Sequence, residues 1–270
     1  MEVSMMASAI NFKLRILKVV FIVSIISATS IVISSCTQSS SDRDSVDISD
    51  SLEQCLESGK RFADSGNYEA AITKFTEAIE LDAENASAFY NRGIVYHESG
   101  DYLSAISDYD TAIELEPNHA KAYNNRGNSI IYINGDYYRA IANYNQAIEI
   151  DPDFALAYHS RAIAFINLEK YDLAIADCTQ ACNIDPEFAD AYFTRGNAYF
   201  GNGDLNNAII DLSKVLEINP NNIMALNNRA SVNYELGNFE AALTDLETIH
   251  EIDPDNQQVI SLIEMVSNHL

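Results

Sequence analysis

Cations are scarce in this chain: 16 Lys and Arg stand against 40 Asp and Glu, a formal net charge of -24 over 270 residues. A surface that acidic repels phosphates, which excludes a nucleic-acid partner. Tryptophan is absent, and four Cys and five Pro are too few for a disulfide-stapled scaffold or a proline-rich linker. No phosphate-cradling glycine loop, no His-Glu-x-x-His and no Gly-x-Ser-x-Gly occurs. The five histidines (His97, His119, His159, His250 and His269) are dispersed and form no pairing with a Cys or Ser that suggests a nucleophile. These absences argue against an enzyme, a metal site and a cofactor. They do not argue for disorder, because 47% of the residues are hydrophobic, the share of an ordinary folded protein.

The N-terminus differs from everything after it. Lys13, Arg15 and Lys18 precede an uncharged, Ile- and Val-rich run from Val19 to Ser35, the order of charge and apolarity in an export signal. The run ends in Ile33-Ser34-Ser35-Cys36, which resembles the lipobox of bacterial lipoproteins. That resemblance implies cleavage before Cys36, lipid modification of its thiol and attachment to the cell envelope. Thr37 stands where an Asp would retain the protein at the inner membrane, so the outer membrane's periplasmic face is expected. The other reading of residues 1–35 is an uncleaved membrane anchor, short for a span of roughly 30 Å. Residues 36–51 are Ser- and Asp-rich and read as a flexible tether. Asp42, Asp44, Asp50 and Glu53 echo a calcium loop, but Val46 and Asp47 sit where a ligand and the turn glycine are needed.

From residue 52 onward the chain repeats itself at steps close to 34. Asn91-Arg92-Gly93, Asn125-Arg126-Gly127, Thr194-Arg195-Gly196 and Asn228-Arg229-Ala230 mark the register. Six units follow: 52–85, 86–119, 120–154, 155–188, 189–222 and 223–256. Each holds two helical runs parted by a turn such as Gly66-Asn67 or Gly203-Asp204, and five close on Pro117, Pro152, Pro186, Pro220 and Pro254. A small residue recurs in the first helix (Gly59, Gly93, Gly127, Ala162, Gly196, Ala230), and Ala opens the second in every unit (Ala71, Ala105, Ala140, Ala174, Ala208, Ala242). Small residues at fixed places let two helices approach closely. Arg at the seventh position (Arg92, Arg126, Arg161, Arg195, Arg229) recurs with Asp108, Asn143, Asp177, Asp211 and Asp245 at the twenty-third. That pairing predicts a ladder joining the two helices or adjacent units. Cys178 and Cys182, one helical turn apart, read as small buried hydrophobes. Residues 257–270 place apolar side chains at helical spacing and predict a helix that caps the array.

This pattern resembles the tetratricopeptide repeat (TPR). The resemblance implies an all-α fold, a right-handed α-solenoid of six helix-turn-helix repeats plus a C-terminal capping helix. It also implies a concave groove, lined by the first helices, that takes an extended peptide or a partner helix. Mapped onto this sequence, the groove is Tyr90, Asn91, His97, Asn124, Asn125, Asn128, His159, Phe193, Asn197, Phe200, Asn227, Asn228 and Tyr234. Asn suits a peptide backbone because its amide donates and accepts. The basic residues of a carboxylate clamp are missing, since Leu56, Tyr90, Asn124, His159, Phe193 and Asn227 hold the fifth positions. The expected role is a lipid-anchored scaffold for other proteins, with neutral or basic partner segments. An assembly chaperone and a non-catalytic subunit of an envelope enzyme are the alternatives.

Overall fold

The computed structural model describes residues 48–270, which leaves the export segment, Cys36 and most of the expected tether outside the described residues. The described chain forms thirteen α-helices and no strand. They are α1 (Ile48–Asp64), α2 (Tyr68–Leu81), α3 (Ala86–Glu98), α4 (Tyr102–Leu115), α5 (Ala120–Asn134), α6 (Tyr137–Ile150) and α7 (Ala155–Asn167). The rest are α8 (Tyr171–Ile184), α9 (Ala189–Gly201), α10 (Leu205–Ile218), α11 (Ile223–Glu235), α12 (Phe239–Ile252) and α13 (Gln257–Ser267). Helices α1 to α12 pack as six consecutive pairs, each pair lies against the next, and α13 covers α12. The expected solenoid with a terminal helix is therefore the fold. Helix α1 begins at Ile48, inside the stretch read as tether.

Local chemistry sets the helix ends. The side chains of Asn67, Asp101, Asp136 and Asp204 each accept a hydrogen bond from the backbone N–H three residues on and so cap the second helices. The residue before each second-helix cap has a positive φ. It is Gly in five units, and in the fourth it is Glu169, at φ 56°, a conformation that costs a residue with a Cβ. The break after each second helix coincides with the recurring prolines, which cannot donate to a continuing helix.

Pairs pack through the small residues. All six alanines that open the second helices are fully buried. In the first three pairs the first-helix small residue is a Gly set against an aromatic ring, and in the fifth Gly196 faces Leu212. A Cβ added to Gly93 would lie 2.8 Å from the Tyr109 ring, and one on Gly127 would lie 2.7 Å from Tyr144. In the fourth and sixth pairs the small residue is Ala162 or Ala230, and Cys178 or Leu246 takes the place of the ring. The Tyr144 ring cannot withdraw easily, because it is fully buried and its hydroxyl donates to Asn128 Oδ1 at 2.7 Å. Gly127→Ala should therefore lower stability by about 1–3 kcal/mol, read as the urea midpoint. Adding Tyr144→Leu, which recreates the Ala230–Leu246 combination, should return part of the loss. Additive losses would contradict this steric account.

Candidate functional site: the first-helix face and its arginine ladder

Five arginines fix how each unit meets the one before it. Arg195 Nε and one terminal nitrogen donate to both oxygens of Asp211, each at 2.7 Å, while the other nitrogen donates to Thr179 Oγ1 at 3.1 Å. Asp211 belongs to the second helix of the same unit, and Thr179 to that of the preceding unit. Arg92 repeats the fork with Asp108 and Thr76. Arg161 does so with Asp177 and Asn145, and Arg229 with Asp245 and Ser213. Arg126 departs: its own-unit partner is the neutral Asn143, and its charge meets Asp110 of the unit before. Each ladder arginine therefore joins both the two helices and adjacent units. Planar guanidinium suits this role because its fork matches a carboxylate. Four of the five also lie over rings of their own helix, as Arg195 does over Tyr192 at 5.3 Å and Arg126 over Tyr123 at 5.2 Å. Burial wins at Asp177, whose carboxyl is held above its ordinary range despite Arg161.

The first helices stand beside one another, and many side chains expected to line a groove instead bond between neighbouring units. Asn125 Nδ2 donates to the Tyr90 hydroxyl at 3.2 Å, and His97 Nδ1 lies 2.8 Å from Ser129 Oγ. The Ser129 hydroxyl also lies 3.1 Å from Asn125 O. His159 Nε2 lies 2.9 Å from Thr194 Oγ1, and Asn228 Nδ2 donates to Asn197 Oδ1 at 2.7 Å. Asn124, His159, Phe193 and Asn228 are buried and offer a partner little surface; His159 meets Thr194 and Phe188 of the next unit, and Asn228 meets Asn197 of the one before.

Tyr90, Asn91, His97, Asn125, Asn128, Asn197, Phe200, Asn227 and Tyr234 are half-buried. Asn91 donates to Ser87 O at 2.7 Å, and Tyr234 lies edge-on to Phe239 and His269. Leu156 at 43% exposure, with Ile163, Met224 and Tyr132, belongs to the same face. The sequence mapping missed Leu156 because it took the buried fifth position of α7 in place of the second. Asn124 Oδ1 and Asn197 Nδ2 are buried without a protein hydrogen-bond partner.

Burial holds three histidines on this face in their neutral forms. His97, between the rings of Tyr102 and Tyr132, is pushed down to about 4, as is His159 against Phe188. His119 is also lowered by burial, and its Nδ1 caps α5 by accepting from Ala122 N at 3.2 Å, a bond that requires the unprotonated nitrogen. Buried Cys178 and Cys182 have thiols raised by burial, which keeps them in the unreactive thiol form. Among the described residues no three His, Cys, Asp or Glu converge as metal ligands. No described helix is long and apolar enough to cross a membrane.

Paired antiparallel helices stacked through a regular ladder define a helical-repeat solenoid. Sequence models described as TPR repeat match residues 59–100, 129–168 and 164–203, and models described as tetratricopeptide repeat match 86–119, 108–142 and 196–267. The chain belongs to the tetratricopeptide repeat family, and no catalytic family is indicated. A search of curated proteins finds no match. Among solved structures, PilW, a type IV pilus biogenesis factor, is similar at 18% identity and TM-score 0.71, with 78% of this chain and 98% of that one covered. The pilF protein of Pseudomonas aeruginosa is similar at 14% identity and TM-score 0.69, covering 80% and 97%. YrrB, described as a TPR protein with an unusual peptide-binding site, shares 24% identity at TM-score 0.58, covering 70% and 97%. These likenesses establish the shared architecture.

Proposed function

We propose that this protein is a lipid-anchored, non-catalytic scaffold that holds a partner protein's segment against its first-helix face. The observation that carries the reading is that face itself: six first helices side by side, with Leu156 exposed and Asn128 and Asn227 half-exposed along it. Apolar and amide side chains together supply contact area and main-chain recognition. Peptide binding by YrrB and pilus biogenesis by PilW are properties of those proteins; their shared architecture makes such a use of this fold reasonable. Anchoring rests on Cys36 and the apolar run before it, with the lipid attached to the thiol and the outer membrane's periplasmic face as the location.

A photo-crosslinking residue placed at Leu156 should capture one or a few defined proteins in native membranes, identified by mass spectrometry. The same residue at Ile210, exposed on second helix α10, should not. Cys36→Ser should move the protein out of the membrane fraction. Equal capture from both positions would remove the site from this face, and unchanged membrane association would remove the lipid anchor.

A further inference from the structure

The chain's charge is unevenly placed. In α5, α7, α9 and α11, apart from the ladder arginines, the only charged residues are Lys121, Asp190 and Glu235. Burial raises the carboxyl of Asp190 above its ordinary range. Most other carboxylates lie on α1, on the second helices and on the loops after them. Glu149, Asp151 and Asp153 leave the third unit, Asp185 and Glu187 the fourth, and Glu251, Asp253 and Asp255 the sixth. The result is a near-neutral first-helix face from α3 to α11, where α3 adds only Glu98, while α1 at the N-terminal end carries Glu53, Glu57, Lys60, Arg61 and Asp64.

From this segregation we infer that the segment bound on that face is uncharged, with apolar side chains against Leu156, Ile163 and Met224 and its main-chain amides against the asparagines. The inference rests on the scaffold reading and narrows its partner from neutral or basic to neutral. The physical reason is desolvation. A lysine or glutamate seated against Leu156, Ile163 or Met224 would shed water with Lys121 and Asp190 as the only charges at the second helical positions of α5, α7, α9 and α11, so most of its desolvation would go uncompensated. Apolar side chains gain from the same burial. The acidic loops add a second selection, since an acidic segment is repelled before it arrives.

The test is selection of random displayed peptides on the full-length chain. Enriched peptides should lack net charge and carry aliphatic or amide side chains. Their affinity should change less than about twofold between about 0.05 and 0.5 M salt, because no ion pair is there to be screened. Leu156→Asp should weaken binding about tenfold or more, and Ile210→Asp should leave it unchanged. Lysine-rich peptides whose binding falls with salt and strengthens in Leu156→Asp would overturn the inference while leaving the face as the binding site. Peptides that respond to Ile210→Asp and ignore Leu156→Asp, or no enrichment at all, would overturn the scaffold reading itself.

Discussion

Arg195→Met should lower the stability of the solenoid by about 3–5 kcal/mol, the loss expected when one partner of a buried ion pair is removed. Asp211 is 3% exposed and receives two of the arginine's hydrogen bonds. Methionine fills much of the volume but leaves that carboxylate buried with no cation. Thr179, in the preceding unit, loses its bond as well, so the damage spans a unit boundary. Because a solenoid's stability depends on nearest-neighbour interfaces, the loss should appear as a lower urea midpoint with broken cooperativity between the third-to-fourth and fifth-to-sixth pairs.

Two comparisons separate this from a general intolerance of substitution. In Arg195→Met with Asp211→Leu the stranded charge is gone, and much of the stability should return, since apolar replacements of buried ion pairs are often neutral. Arg126→Met should cost less, about 1–2 kcal/mol, because Asn143 is uncharged and keeps its own bond to Arg139 O, and Asp110 is exposed. Equal losses at Arg126 and Arg195, or no recovery in the double variant, would show that charge burial is not what the ladder manages.

The ladder also shows what the sequence could and could not disclose. Arg and Asp recur as identical residues at a constant step, so their pairing is visible from periodicity alone. The third partner is not, because Thr76, Asp110, Asn145, Thr179 and Ser213 keep the repeat step but differ in type, sharing only the ability to accept a hydrogen bond, and a search for like residues passes over them. The helix pairs were legible for a similar reason: Gly127 and Ala162 announce close approach, and the glycine-cap turns announce chain reversal. Even there, Glu169 occupies a positive-φ position that its residue type does not advertise.

The binding face was less legible. Asn124, His159, Phe193 and Asn228 have the helical register of exposed side chains, yet they are buried in the stack. Whether the edge of a helix faces solvent or its neighbour depends on how successive units are offset. That offset is a property of the whole stack, partly set by arginines reaching backwards into the preceding unit. Leu156 illustrates the converse, an aliphatic residue that composition would assign to a core and that stands 43% exposed. Nothing in one repeat taken alone distinguishes these cases.

Acidification should weaken the fold through the histidines at the unit boundaries. His97 and His159 have folded-state values near 4, against about 6.5 in an unfolded chain. As pH falls below about 6.5 the unfolded chain takes up protons that the folded chain refuses, so their stabilisation is complete above that pH and is lost between about 6.5 and 4. The shift corresponds to at most about 3 kcal/mol per histidine. His119 adds in the same direction, because protonating Nδ1 removes the cap of α5 and puts a cation at a helix N-terminus. The groups around them set the limits of the effect. Asp190, whose backbone bonds the His159 ring, slightly favours the protonated imidazole. The carboxyls of Asp177, Asp190 and Glu98, raised by burial, act with the opposite sign at the acid end, and so does relief of the net negative charge. The histidine contribution is isolated by His97→Gln with His159→Gln, in which an uncharged donor can still face Ser129 and Thr194. Urea midpoints measured from pH 7.5 to 4.5 should fall steeply for the natural sequence and flatten in this variant. An identical slope in the two would mean that the pH dependence comes from the carboxylates, and that the unit boundaries stay closed in acid.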